Sequence, residues 1–182
     1  MTGLTAGLTK GNKKTVNRFD DQRAWFCERV SENSGGLYWL AKSILHNDED
    51  VKDAVQEAVL TAYEKLDTLR DEHSFKPWIM RILANTAYSM IRRSKPNTDI
   101  DSLAEELPAP QNEDREESMA LWQAVRGLGE SLRTVTVLFY YDDMPIKDIS
   151  RALGITEGTV KARLSRARAK LRIAMSEQEE TL

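Results

Sequence analysis

Cysteine and histidine are scarce in this chain, which has only Cys27, His46 and His73 among 182 residues. One cysteine cannot form an intramolecular disulfide or a cysteine-based zinc site. Two histidines offer no metal-ligand set and no catalytic triad, and no glycine-rich loop is present that could cradle a phosphate. We therefore expect no enzyme, no cofactor and no metal, and we expect Cys27 to be a small core residue.

Long apolar runs are also missing. No segment approaches the roughly 20 apolar residues that a membrane-spanning helix needs, and the N-terminus lacks an apolar signal segment although it carries Lys10, Lys13 and Lys14. We expect a cytoplasmic protein with no direct membrane insertion. Its 41% hydrophobic and 30% charged residues are typical of a globular, helix-rich chain with room for one or two small domains.

The formal net charge of -3 hides a strong separation of charge along the chain. Residues 97–118 hold eight acidic residues against one basic residue, a charge of -7, and prolines interrupt this stretch, so it reads as an acidic flexible linker. Residues 145–172 hold eight basic residues against two acidic ones, a charge of +6 that suits a phosphate backbone. Charge alone is also consistent with a solvated spacer over 97–118 and with an ordinary solvated helix face over 145–172.

Helical periodicity accounts for most of the first half. The pattern predicts a helix from about Asp20, a break at Gly35-Gly36, a second helix over 37–45, and a helix over 75–93 with Pro77 in its first turn. The most regular helix follows Asn47, where one apolar stripe comprises Val51, Ala54, Val55, Ala58, Val59, Ala62, Tyr63 and Leu66.

The second half ends in a helix-turn-helix pattern. Short helices are predicted over 119–125 and 132–141, the latter including the β-branched run 134–137. Beyond them, Gly154 supplies the positive φ of a tight corner and Thr156 can cap the next helix. The apolar residues at helical spacing are Ile146, Ile149, Ala152 and Leu153 before the corner, and Val160, Leu164, Ala167 and Leu171 after it. The cations of the second helix then face outward, as DNA reading requires.

The order of these parts resembles the extracytoplasmic-function (ECF) group of the sigma-70 family, the initiation factors of bacterial RNA polymerase. The motifs that carry the resemblance are Asp53–Ala58 with Ala62-Tyr63, Phe75–Ile82 with Ala84-Asn85, and Gly158–Lys161 with Arg163–Arg168. The resemblance implies an all-α fold of two small helical domains. It divides the chain into a flexible tail over 1–18, sigma region 2 over 19–95, the acidic linker over 96–118, sigma region 4 over 119–175 and a C-terminal tail over 176–182.

The resemblance also assigns roles and partners. Core RNA polymerase would be bound through its β′ clamp and β flap, promoter DNA at the -10 and -35 elements, and an anti-sigma factor is implied as a regulator. The residues expected to face the β′ clamp are Asp53, Gln56 and Glu57. Those expected at the -10 element are His73, Ser74, Phe75, Trp78 and Asn85 for an unstacked base, and Lys76, Arg81, Arg92, Arg93 and Lys95 for phosphates, although the core is the better place for the Trp78 ring. Those expected at the -35 element are Thr159, Lys161, Ala162, Arg163, Ser165 and Arg166.

A free-standing helix-turn-helix regulator is the alternative. It explains the C-terminal motif equally well and expects a dimer on a palindromic site. It does not predict the acidic linker or the polar face formed by Asp53, Gln56 and Glu57. The Gly35-Gly36 pair departs from the sigma-family pattern, and we expect it to alter how the first helical hairpin meets the rest of region 2.

Overall fold

Helices form nearly all of the chain that the computed structural model describes, namely residues 10–45, 47–94 and 115–179. Within those ranges there are eight α-helices, two short 3-10 turns and no strand, so the all-α prediction is confirmed. The chain falls into two compact units, Met1–Ser34 and Gly35–Leu182.

The first unit consists of helix α1, Lys10–Glu32. Residues 1–9 of the predicted tail lie outside the described residues, and the rest of that tail belongs to α1. Phe26 is buried, whereas Cys27 is exposed, so the prediction that Cys27 is a core residue is wrong. Successive helical side chains point about 100° apart, and burial of residue 26 turns residue 27 toward solvent.

The break after α1 lies at Asn33, two residues before the predicted position. The Asn33 side-chain amide donates to the Arg29 carbonyl oxygen at 2.7 Å, which satisfies one of the unpaired carbonyls at the helix end. Gly35 and Gly36 instead belong to the first turn of α2, Ser34–Ile44. The glycine pair therefore does not break the chain.

Helices α3, Asp48–Glu64, and α4, Phe75–Ser94, pack against each other with 3-10 turns at Leu66–Thr68 and Glu72–Ser74 between them. Asn47 caps α3 by accepting a hydrogen bond from the Glu49 amide at 2.8 Å. The predicted apolar stripe of α3 is narrower than expected, because Tyr63 is 47% exposed. The fully buried residues that face this packing are Val51, Ala54, Ala58 and Ala62 on α3, with Ile79, Met80 and Leu83 on α4.

Four helices follow the undescribed residues 95–114: α5, Arg115–Gly127; α6, Glu130–Tyr140; α7, Ile146–Leu153; and α8, Glu157–Glu179. Most of the predicted linker lies outside the described residues. The β-branched run is helical, as predicted, and its threonines fit a helix because they donate backward. Thr134 Oγ1 donates to the Glu130 carbonyl at 2.9 Å, and Thr136 Oγ1 to the Leu132 carbonyl at 2.8 Å.

The corner between α7 and α8 has the predicted chemistry. Gly154 closes α7 with φ 66°, in the left-handed region. Thr156 Oγ1 accepts from the Thr159 amide at 3.1 Å and so caps α8. Val160, Leu164 and Ala167 are buried, and α8 packs against α5, α6 and α7. The helix-turn-helix prediction is confirmed.

Helices from both sides of residues 95–114 pack together within the second unit, and we call this packing the closed arrangement. Helix α4 lies against α7. The Trp39 ring of α2 meets the rings of Trp122, with centroids 4.7 Å apart, and Tyr141, with centroids 5.9 Å apart. Such aromatic pairs are stabilising by about 1 kcal/mol each beyond their buried area.

Candidate polymerase and nucleic-acid interfaces

The outer face of α3 presents the three predicted polymerase-binding residues together. Asp53, Gln56 and Glu57 are all exposed, and their spacing of three and four residues places them side by side on the helix. The buried residues of α3 lie on the opposite side, so replacing these three does not disturb the core. The face is acidic and rigidly held, which suits a basic partner helix.

Leu60 extends that face and is a candidate contact that the sequence analysis missed. Its side chain is 67% exposed, and it lies three residues after Glu57 and four after Gln56. A large apolar residue off the buried stripe was the available signal. Tyr63 is also exposed, and it lies three residues after Leu60 on the same side of the helix. Burial of this exposed apolar side chain by a protein partner would be favourable.

The loop before α4 is preorganised by Asp71. Its Oδ1 accepts from the His73 amide at 3.1 Å, and its Oδ2 accepts from Ser74 Oγ at 3.4 Å. His73 is therefore exposed at a fixed position, with Ser74 half-buried beside it. Phe75 is only 2% exposed, and its ring centroid lies 5.8 Å from that of the half-buried Trp78. Phe75 thus supports Trp78 from the interior and does not face solvent.

A groove between α3 and α4 brings the two predicted surfaces together. It has a volume of about 480 Å³ and is open to solvent. Glu57 and Arg93 face each other across it, with Oε1 and Nη2 3.7 Å apart and both side chains more than half exposed. An exposed pair of this kind contributes less than about 1 kcal/mol. The residues that line the groove are Glu57, Thr61, Lys65, Ile82, Asn85, Thr86, Ser89, Arg92 and Arg93.

The remaining predicted -10 residues divide into two groups. Arg81, Asn85, Arg92 and Arg93 are exposed. Lys76 is engaged, because its Nζ lies 3.0 Å from Asp142 Oδ1 and donates to the Asp142 carbonyl oxygen at 2.9 Å. The structure places a predicted phosphate ligand of α4 against the loop between α6 and α7. Lys95 lies outside the described residues.

Helix α8 presents most of the predicted -35 residues to solvent. Lys161, Ser165 and Arg166 are exposed, and Thr159, Ala162 and Arg163 are half-buried. Arg163 lies near Tyr88 of α4: burial and then Glu130 raise the pKa of Tyr88, whereas a hydrogen bond to Thr134 and the charge of Arg163 lower it. In the closed arrangement Arg163 is therefore less accessible than Arg166.

Two further observations bear on chemistry. Among the described residues, no group of three histidine, cysteine, aspartate or glutamate side chains could hold a metal ion. In the same part of the chain, none of the helices combines the length and apolar character of a membrane span.

Comparisons with known proteins identify both halves. Residues 30–96 match the family described as Sigma-70 region 2, and residues 118–171 match Sigma-70, region 4. The RNA polymerase sigma factor SigV of Bacillus subtilis is 28% identical over 150 residues, which cover 82% of this chain and 90% of SigV. The ECF RNA polymerase sigma factor SigW of the same organism is 31% identical over 180 residues, which cover 91% of this chain and 95% of SigW.

A solved structure shares the fold. The sigma factor RpoE from Bartonella quintana, determined in complex with the anti-sigma factor NepR, superposes with a TM-score of 0.66 at 23% sequence identity. The similarity covers 83% of this chain and 96% of that one.

Proposed function

Because this chain belongs to the ECF sigma factors of RNA polymerase, we propose that the exposed face of α3 binds core polymerase and that α4 and α8 bind promoter DNA. The protein is a transcription initiation factor that directs RNA polymerase to promoters. It is not an enzyme, and the chemical steps of transcription belong to the polymerase.

The observation that carries these assignments is the opposite charge of two exposed helix faces. Asp53 and Glu57 give α3 an acidic outer face, whereas Lys161 and Arg166 give α8 a basic one. A basic helix attracts DNA and an acidic helix repels it, so a protein partner is the fitting ligand for α3. Leu60 adds desolvated apolar contact to that protein interface.

At the -10 element we propose a base pocket at the start of α4 and a phosphate track along it. His73 and Ser74, positioned by Asp71, offer hydrogen bonds to a base edge, and Trp78 offers a ring wall supported by Phe75. Lys76, Arg81, Arg92 and Arg93 would contact the phosphates of the opened strand, and Asn85 would offer a further hydrogen bond to a base edge.

At the -35 element we propose that α8 enters the major groove. Its start is held by the Thr156 cap and its buried stripe, so the exposed side chains project from a rigid support. Arginine and lysine can bond guanine edges or phosphates. The residues assigned to this surface are Thr159, Lys161, Ala162, Arg163, Ser165 and Arg166.

The family resemblance supports the remaining proposals. Regions 19–95 and 119–175 would act as separate domains on the polymerase, joined by the acidic linker over 96–118. The β flap would hold region 4, an anti-sigma factor would regulate the protein, and the protein itself would be cytoplasmic.

Run-off transcription tests the proposed function. Core polymerase, with and without this protein, is supplied with a genomic fragment library, and the start sites are sequenced. Transcripts that depend on the protein and share two upstream motifs are expected. A free-standing regulator would instead footprint a palindromic site without polymerase and add no transcripts, which would overturn the assignment.

A further inference from the structure

Asp142 lies at the point where the two halves of the closed arrangement meet. It belongs to the loop between α6 and α7, and its side chain is 13% exposed. Its Oδ1 pairs with Lys76 of α4 at 3.0 Å, and its backbone carbonyl accepts a second hydrogen bond from the same Nζ at 2.9 Å. Lys76 therefore has both an ionic and a neutral acceptor from one residue that is 66 positions away in sequence.

Gly36 makes room for this contact. A methyl carbon built on Gly36 would lie 2.7 Å from Cγ of Asp142, closer than real carbon contacts allow. The same substitution at Gly35 would meet nothing within 4 Å. Glycine in a helix costs about 1 kcal/mol relative to alanine, and at position 36 the close approach of the Asp142 carboxylate is a physical reason for it.

The closed arrangement cannot engage a whole promoter. Lys76 and Tyr88 are twelve residues apart on α4, about 18 Å along the helix axis, and Arg163 lies beside Tyr88. Lys76 and Arg163 are therefore both placed along this one helix, which is about 30 Å long over its 20 residues. The numbers that name the -10 and -35 elements differ by about 25 base pairs, which corresponds to roughly 85 Å of duplex.

We propose that Asp142 is an intramolecular clasp: it occupies Lys76 in the free protein, and promoter phosphate replaces it when polymerase separates the two halves. The proposal rests on the proposed function in one respect, the use of Lys76 for DNA. A carboxylate and a phosphate are the same kind of ligand for a lysine, so the two contacts exclude each other.

The clasp is built to open. Asp142 Oδ2 is buried and has no hydrogen-bond partner among the described residues, so the closed arrangement leaves a polar atom unsatisfied at this point. The contact with Lys76 adds little net stability, as is common for partly buried ion pairs. Breaking it therefore requires only part of the free energy with which polymerase binds.

The first test uses Gly36→Ala with Gly35→Ala as its matched control. Both replace a glycine in the first turn of α2 by alanine, but only the first displaces the Asp142 carboxylate. The probe is fluorescein-labelled single-stranded DNA of random sequence, without polymerase. We expect Gly36→Ala to bind it roughly fivefold or more tightly than wild type, with a salt dependence steeper by about 0.7 in the log-log slope, the value for one more phosphate contact. Equal affinities and slopes for Gly36→Ala, Gly35→Ala and wild type would overturn the clasp.

The second test uses charge reversal. Asp142→Lys places two cations together and removes the clasp, whereas Asp143→Lys makes the same charge change at the exposed neighbouring residue. We expect Asp142→Lys to bind the DNA probe several-fold more tightly than Asp143→Lys. Equal binding would attribute the effect to net charge and contradict the proposal. Circular dichroism checks that each variant keeps its helix content.

A distance measurement separates this proposal from the proposed function. Fluorophores at Lys52→Cys and Lys170→Cys, in a Cys27→Ser background, report the separation of α3 from α8. Gly36→Ala and Asp142→Lys should lower energy transfer, and their controls should not. If transcription assays fail while these distances change, the function is wrong and the clasp stands; if transcription proceeds and neither distance nor DNA affinity changes, the clasp is wrong.

Discussion

Arg133 of α6 donates from Nε to the backbone carbonyl of Ser43 at the end of α2, at 2.8 Å, and so connects segments that are 90 residues apart. Its Nη1 also donates to the Arg126 carbonyl at 2.9 Å. Burial lowers the pKa of Arg133, Glu130 opposes that shift and Arg126 adds to it. One guanidinium thus satisfies two helix-end carbonyls in the closed arrangement.

Replacing Arg133 should destabilise the closed arrangement. Arg133→Ala leaves the Ser43 and Arg126 carbonyls without this donor and is expected to lower the free energy of unfolding by roughly 2 kcal/mol, since hydrogen bonds to charged donors are worth about 1.5–3 kcal/mol and desolvation of the guanidinium offsets part of that. Urea unfolding measures the change. The exposed Arg168→Ala should stay within about 0.5 kcal/mol of wild type, and identical curves for both variants would refute the prediction.

Reversing charge on α3 should abolish polymerase binding without unfolding the protein. Asp53→Lys combined with Glu57→Lys turns the acidic face basic, opposite to what a basic partner helix requires. Pull-down of core polymerase should drop to background, while the thermal melting midpoint stays near that of wild type because both side chains are exposed. Asp67→Lys, at an exposed position beyond α3, is the control. Undiminished pull-down of the double variant would remove α3 from the interface.

Leu60→Asp should weaken polymerase binding about tenfold. The side chain is 67% exposed in the free protein, so its replacement loses little folding stability but removes an apolar contact from the complex. Titration of core polymerase with labelled protein measures the change. A loss of melting temperature matched by no loss of affinity would show that Leu60 serves the fold alone.

Truncating Arg163 and Arg166 of α8 should reduce -35 binding. Arg163→Ala with Arg166→Ala is expected to weaken promoter-dependent transcription, and each lost phosphate contact should reduce the log-log salt slope by about 0.9. Arg168→Ala and Arg172→Ala, at exposed positions further along the same helix, change charge equally and serve as the comparison. Normal promoter-dependent transcription by the Arg163/Arg166 variant would contradict the recognition surface.

Lowering the pH should stabilise the closed arrangement. Burial raises the pKa of Asp142, Lys76 opposes that shift through its hydrogen bond and its charge, and the neighbouring Asp143 adds a smaller rise, so that the net shift is upward. The closed arrangement therefore holds the Asp142 proton more tightly than a form in which this carboxyl is solvated. The closed arrangement is most stable below pH 3.8, the ordinary pKa of an aspartate, and becomes less stable as the pH rises through the raised pKa of Asp142.

Energy transfer between the labels on α3 and α8 reports this pH dependence. It should increase as pH falls through the raised pKa of Asp142 toward 3.8. Asp142→Asn should remove the dependence, whereas Asp143→Asn should retain most of it. A wild-type signal that does not change with pH would contradict the linkage.

Local patterns predicted the local structure well. The stripe around Ala54 and Ala58, the left-handed Gly154 and the Thr156 cap all depend on residues within two helical turns, and each is confirmed. The break at Asn33 was misplaced because a side-chain cap ends α1 where glycines were expected to do so. Cys27 was wrongly assigned to the core because its neighbour Phe26 occupies the buried face.

Contacts between residues on opposite sides of the linker could not be predicted from the sequence. Lys76 and Asp142 are separated by 66 residues, and neither the predicted phosphate ligand nor the loop aspartate shows that the two meet. The same holds for the Gly36 gap, which only the position of Asp142 explains. The residues assigned to DNA and polymerase stay predictions, since binding partners act on surfaces that folding alone does not specify.

The alanines of α3 have a consequence for how this protein tolerates mutation. Ala54, Ala58 and Ala62 are fully buried, so the spacing of α3 from α4 depends on the smallest side chains of the core. In a library of all substitutions, few variants at these three alanine positions should fold stably, because any larger side chain forces the helices apart. At the charged outer positions nearly every substitution should allow folding, but few should support growth that depends on transcription from the protein's promoters. Substitutions that lower stability should therefore map to the buried side of this helix, and substitutions that lower fitness without lowering stability should map to its exposed side.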